Sequence, residues 1–150
     1  MDLKKVLYTL RGEDRFMLPQ FFRKSDGEPV LLEGEQGLYV QPITEVKDVI
    51  LQEAAETSND GEPFNVGSFR TITQRISGTA TNRTIIFEFS MDGQNWEECT
   101  GMRLNGMEMS SQVTGNNETW SFEVPGIYQF RARVAEVIGG NVTVKGTAVT

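Results

Sequence analysis

The sequence contains no histidine and a single cysteine, Cys99. The first absence removes Ser-His-Asp and Cys-His nucleophilic chemistry, the usual catalytic zinc sites and the commonest general base. The expectation is a protein that is not an enzyme and carries no cofactor or metal. The second absence leaves no intramolecular disulfide, so the fold rests on its apolar core. Cys99 stands beside Glu97 and Glu98, whose charges disfavour a thiolate, and it reads as a bystander rather than a nucleophile. There is no long basic run and the formal net charge is −7, which speaks against a nucleic-acid binder. That acidity serves solubility and permits docking on a basic partner. No apolar run approaches the length of a membrane span. The opening MDLKKVLYTLRGEDRF, broken by Arg11, Glu13 and Asp14, reads as neither signal peptide nor span. The expectation is therefore a soluble protein with no membrane partner. The Asn-x-Thr triplets at Asn82, Asn117 and Asn141 then read as turn chemistry, not glycosylation sites.

What is present is organised around residues 84–96, TIIFEFSMDGQNW. Ile85, Phe87, Phe89 and Met91 fall on one face, and Thr84, Ile86, Glu88 and Ser90 on the other. That is the period of a strand with one face on a core. Asp92-Gly93 supplies a turn, because Gly takes positive φ without a Cβ penalty. Trp96 then closes the hairpin and is expected to lie over one end of the fold.

The 150 residues suffice for one good core and are few for two. Residues 46–150 read as a run of short strands. Val49 to Leu51 is apolar, and residues 58–63 (SNDGEP) form a loop by composition. Phe69, Ile72 and Ile76 supply apolar contacts. Met102 and Leu104 alternate, as do Met107 and Met109. Trp120, Phe122 and Val124 alternate with Ser121 and Glu123. After Pro125-Gly126, the inward residues are Tyr128, Phe130, Ala132 and Val134, with Gln129, Arg131 and Arg133 outward. Gly139-Gly140-Asn141 precedes a last strand with Val142 and Val144 on one face. Strands at this spacing, with turns too short for crossovers, predict an all-β antiparallel sandwich. Residues 141–150 carry one charge, Lys145, and are expected to form an edge able to pair across a subunit boundary.

Residues 1–45 differ. Leu3, Val6, Leu7 and Leu10 have helical spacing, while Val6, Tyr8 and Leu10 alternate as in a strand; both readings stand. Ser25 to Pro29 signals a turn, and 30–32 and 38–40 are strand-like. Phe16, Met17, Leu18, Phe21 and Phe22 need burial. They either complete the core or dock on another subunit.

The run FNVGSFRTITQRISGTATNRTIIFEFSMDGQNWEEC, followed by FEVPGIYQFRARVAEVIGGNVTVKGTAV, resembles a β-sandwich domain common in tailed-phage virion proteins. The resemblance rests on S-x-D-G-x-N-W at residues 90–96 and on G-x-Y-x-x-R-x-x-V with G-x-V-T-V between Gly126 and Val144. It covers residues 46–150 and leaves the first 45 unexplained. It implies an Ig-like or jelly-roll-like sandwich with an N-terminal attachment segment, of the head-fibre, decoration or neck-collar type. The implied role is structural and the implied location is the virion, after synthesis in the host cytoplasm. The implied partners are capsid, portal, neck or tail proteins and further copies of the chain.

Particular residues carry competing readings. Asp92-Gly93-Gln94-Asn95 looks like a calcium loop but lacks the further oxygen ligands and distal Glu, so the turn reading is preferred. Arg131 and Arg133 are expected to pair across the sheet with Glu88 or Glu123. Glu97 and Glu98 cannot face one substrate, since neighbours on a strand point to opposite faces. Trp96 and Trp120 offer an alternative function, an aromatic platform for host glycans.

Overall fold

The computed structural model describes Phe21–Phe22, Pro29–Val30 and residues 44–150. The chain divides into two units, Met1–Pro42 and Ile43–Thr150. In the first, Phe21–Phe22 (β1) and Pro29–Val30 (β2) pair antiparallel, Phe21 against Val30 and Phe22 against Pro29. Phe16, Met17 and Leu18, the helix-or-strand segment at 3–10 and the strand-like piece at 38–40 lie outside the described residues.

The second unit contains β3 (Val46–Ala55), β4 (Phe64–Asn65), β5 (Thr71–Ser77), β6 (Asn82–Ser90), β7 (Glu97–Glu98), β8 (Gly101–Arg103), β9 (Met109–Ser110), β10 (Gln112–Val113), β11 (Thr119–Glu123), β12 (Gln129–Ile138) and β13 (Val142–Val149). One sheet has the order β3–β13–β5–β11–β8–β9. The other has the order β10–β6–β12–β4, with β7 also on β6. Every pairing is antiparallel, as the short connections require. The expected all-β sandwich is what the chain forms.

Alternation produces the core. Ile85 and Phe87 of β6 and Phe130, Ala132 and Val134 of β12 face inward from one sheet. Ile72 and Ile76 of β5, Trp120 and Phe122 of β11, and Val142, Val144 and Ala148 of β13 face inward from the other. Three phenylalanines join the layers. Phe122 lies 4.4 Å from Phe87 and 5.0 Å from Phe130, centroid to centroid, tilted at 47° and 54°. Such pairs add about 0.5–1.5 kcal/mol beyond the area they bury. Gly101 of β8 sits under the Phe122 ring, where a Cβ would fall 2.3 Å from a ring carbon. Gln74 of β5 also points into the core at 0% exposure, and its amide finds no hydrogen-bond partner among the described residues.

A polar clamp closes the gap between the sheets beside β3. The buried Gln52 amide donates to the Ala132 carbonyl at 2.7 Å and to Asn59 Oδ1 at 2.8 Å. Asn59 exchanges backbone bonds with Val134 of β12, and Gly61 N–H donates to Asn59 Oδ1 at 2.9 Å. Gly61 has φ +74° and lies so close to the Ala132 and Leu51 carbonyls that a side chain does not fit.

Three expectations need correction. Met91 is 64% exposed and Tyr128 is 52% exposed, rather than inward. β6 ends at Ser90 and β12 begins at Gln129, so both residues lie in turns, where strand parity no longer applies. The C-terminal strand is not an edge: β13 lies between β3 and β5. The low charge of residues 141–150 is compatible with an interior strand, since edges are the strands that need protective charges.

Candidate functional site

The densest polar constellation among the described residues lies on the outer face of the β6–β12 sheet. Glu88 has the parity opposite to Phe87, so it points away from the core, yet it is only 6% exposed. Arg131 is its direct cross-strand partner, and Arg133 lies two residues along β12 on the same face. Arg131 Nε donates to Glu88 Oε2 and Arg133 Nε to Glu88 Oε1, both at 2.8 Å. Arg131 Nη1 also stands 3.5 Å from Asp60 Oδ2 on the loop after β3. The expected pairing of both arginines with Glu88 is therefore met, and Glu123 instead accepts a bond from Thr71.

Trp96 provides the cover. Its ring stacks on the Arg131 guanidinium, 4.0 Å from centroid to Cζ. Trp96 thus lies on the sheet face over the ion pairs, rather than over the end of the sandwich. Stacking orders the arginine, and the low exposure of Glu88 strengthens both charge-assisted bonds. The turn that returns Trp96 to the sheet is held by Asp92. Its Oδ1 accepts the Gln94 and Asn95 N–H groups, both at 2.8 Å, and its Oδ2 accepts Asn95 Nδ2 at 2.6 Å. These bonds, led by those from the Asn95 and Gln94 backbone, hold the carboxyl well below the usual carboxylate range. The Asp92 oxygens are occupied by turn donors, as the turn reading requires. Gly93 has φ +77°.

The site carries two carboxylates, Glu88 and Asp60, against two guanidiniums, Arg131 and Arg133. Both Glu88 oxygens accept from arginine. Glu98 is the cross-strand neighbour of Glu88 on the other side and accepts from Ser111 Oγ at 2.6 Å. Beside Asp60 opens a shallow groove of about 680 Å³ whose walls include Gln52, Glu53, Asn59 and Glu62. Burial pushes the Cys99 thiol up to about 11, so the inert reading holds, although its cause is desolvation rather than Glu97 and Glu98.

The structure separates the two tryptophans. Trp120 is 2% exposed and its indole N–H donates to Glu118 Oε2 at 3.1 Å, so it offers no face to a ligand. Trp96 is half-buried, with one ring face on Arg131. Phe21 and Phe22 form β1, while Phe16, Met17 and Leu18 lie outside the described residues. Sequence reasoning missed the shielding of Glu88 and the Gln52–Asn59 clamp. The one available signal was an acidic residue in β6 facing two arginines in β12.

Comparison with known proteins places this architecture. YomS, an uncharacterized protein derived from the SPβ prophage of Bacillus subtilis, is 37% identical over 100 residues, covering 65% of this chain and 82% of YomS. Its crystal structure superposes with a TM-score of 0.70 at 32% identity, over 74% of this chain and 98% of YomS. XepA, a protein of the phage-like element PBSX of the same organism, is 27% identical over 104 residues, covering 69% of this chain and 37% of XepA. The crystal structure of XepA, described as exported, superposes with a TM-score of 0.72 at 21% identity, over 95% of this chain and 48% of the XepA chain. The chain thus spans most of YomS and about half of XepA, and the XepA structure bears on the fold alone. The XepA family model matches residues 45–148, the whole sandwich, and the chain belongs to the XepA family of phage proteins.

Proposed function

We propose that the protein is a non-enzymatic structural component of the phage particle. The first 45 residues attach it to the capsid, neck or tail, and the sandwich is displayed. One observation carries this reading: the dense polar constellation on the sheet face is spent on itself. Glu88 is held by both arginines, and Trp96 covers Arg131. The result is a stiff ledge suited to binding and assembly, with its carboxylate already engaged. Prophage-derived relatives and the resemblance to virion sandwiches point the same way. Phe16, Met17, Leu18, Phe21 and Phe22 are the anchors for the neighbouring virion protein, and copies repeated in a homo-oligomer on a symmetric particle add avidity. A component that leaves the cell with the particle also accords with the exported character stated for XepA. The glycan-platform reading has less support, because Trp120 is core and Trp96 shares its ring with Arg131.

The test compares the full chain with one lacking residues 1–45, each supplied in an induced lysate and fractionated on a density gradient. The full chain is expected to band with particles, while the shortened chain stays at the top with its sandwich folded by circular dichroism. A shortened chain that still bands with particles would remove the attachment role from residues 1–45.

A further inference from the structure

On the opposite sheet, Arg75 of β5 and Lys145 of β13 are direct cross-strand partners, both exposed on the outer face. Like charges directly opposite each other destabilise a sheet. Among the described residues neither side chain forms an ion pair or a side-chain hydrogen bond. By contrast, Arg103, Arg131 and Arg133 are each held by carboxylates, in a chain of net charge −7 that has acids to spare. A local rule broken without local compensation is the mark of a functional position.

The backbone is shaped around the same place. The pairing of β13 with β3 shifts register between Val142 and Val144 and again between Val144 and Lys145. Bulges of this kind re-aim the side chain that follows. Gly146, the next residue, approaches β5 so closely that a Cβ would meet the Thr73 carbonyl oxygen at 1.8 Å. The two cations stand in a shallow groove of about 470 Å³, with Gly146 and Thr147 along β13 and Val49, Ile50 and Asp48 along β3. Asp48 pairs in register with Thr147, one cross-strand row from Lys145 and on the same face.

We infer that Arg75 and Lys145 form a binding site for a phosphate monoester dianion. Two adjacent cations are neutralised by two negative charges on one centre, which a single carboxylate does not supply. The arginine fork matches two phosphate oxygens, and the lysine adds a point charge. Thr147, two residues from Lys145 on the same strand, lines the same groove and carries a hydroxyl. The phosphate group itself comes either from a soluble ester or from a headgroup on a surface. This site stands apart from the Glu88 ledge and does not depend on the virion role.

The intact protein is titrated with inorganic phosphate at constant ionic strength, following backbone amide shifts by NMR. The shifts are expected to saturate at Arg75, Gly146 and Thr147. Affinity should fall about tenfold or more in Arg75→Gln and in Lys145→Gln, the loss of one charge-assisted contact. It should rise about two- to threefold in Asp48→Asn, which removes a nearby like charge. It should also weaken as pH falls and the second phosphate proton returns. A parallel arm sediments the protein with phosphatidylcholine vesicles with and without phosphatidic acid. Cosedimentation that needs both phosphatidic acid and the two cations assigns the group to a headgroup; its absence beside saturable phosphate binding assigns it to a soluble ester. Shifts that never saturate, that survive in the folded double variant, or that acetate reproduces equally would overturn the proposal.

Discussion

Glu88 is the residue on which the outer face depends. It draws two guanidiniums onto one carboxylate, and Trp96 stacks on one of them. Removing one partner of a buried pair leaves charge without compensation. Arg133 is about one-third exposed, which lessens that penalty. Glu88→Ala is therefore expected to cost about 2–3 kcal/mol in urea unfolding, and to release Trp96, seen as a red-shifted emission component. An unchanged midpoint would show that the network is decorative. Asp92 makes a separate prediction through pH. Its folded pKa is depressed, so its contribution is present above its unfolded value of about 3.9 and is lost as pH falls through the folded value. Asp92→Asn should lower stability at neutral pH and flatten the acid limb of the stability curve, measured by unfolding at a series of pH values. A third residue tests the core. Gln74 buries an amide without partners, and such groups cost about 1–3 kcal/mol each. Gln74→Met, of similar shape, is expected to raise the urea midpoint; a fall would mean that the amide is satisfied in solution.

Among the elements, β11, residues 85–89 of β6 and residues 129–134 of β12 were legible because large apolar residues alternate there on one face. The same alternation misled at Met91 and Tyr128, which continue the pattern on paper but lie past the strand ends. Strand order was not legible. The sparse charge of residues 141–150 fits either an edge or an interior strand, and only the pairing of β13 with both β3 and β5 decides between them. The pairing of Glu88 with Arg131 and Arg133 could be read from charge and parity. Its burial, between β12 and β7 and under two arginines, could not, because strand order is not written in the residues. Gly101 is likewise silent in sequence. Its place under Phe122 predicts that Gly101→Ala pushes the ring from its position between Phe87 and Phe130. Overpacking of this kind costs about 1–3 kcal/mol, and a thermal melt with the midpoint unmoved would refute the close packing.

At the scale of the whole molecule, a sandwich of the XepA family carries two distinct outer faces. The β6–β12 face is closed by its own ion pairs and tryptophan. The β13–β5 face keeps Arg75 and Lys145 without an ion pair among the described residues, which is the basis of the proposed phosphate site. Both suit the proposed role in binding and assembly, and the proposed place for that work is the phage particle. The direct measurement is quantitative mass spectrometry of gradient-purified particles after prophage induction, with copies of this chain counted against the major capsid protein. The account predicts several copies per particle at a fixed ratio that survives washing in high salt. A chain confined to particle-free fractions, or present at a ratio that varies between preparations, would contradict it.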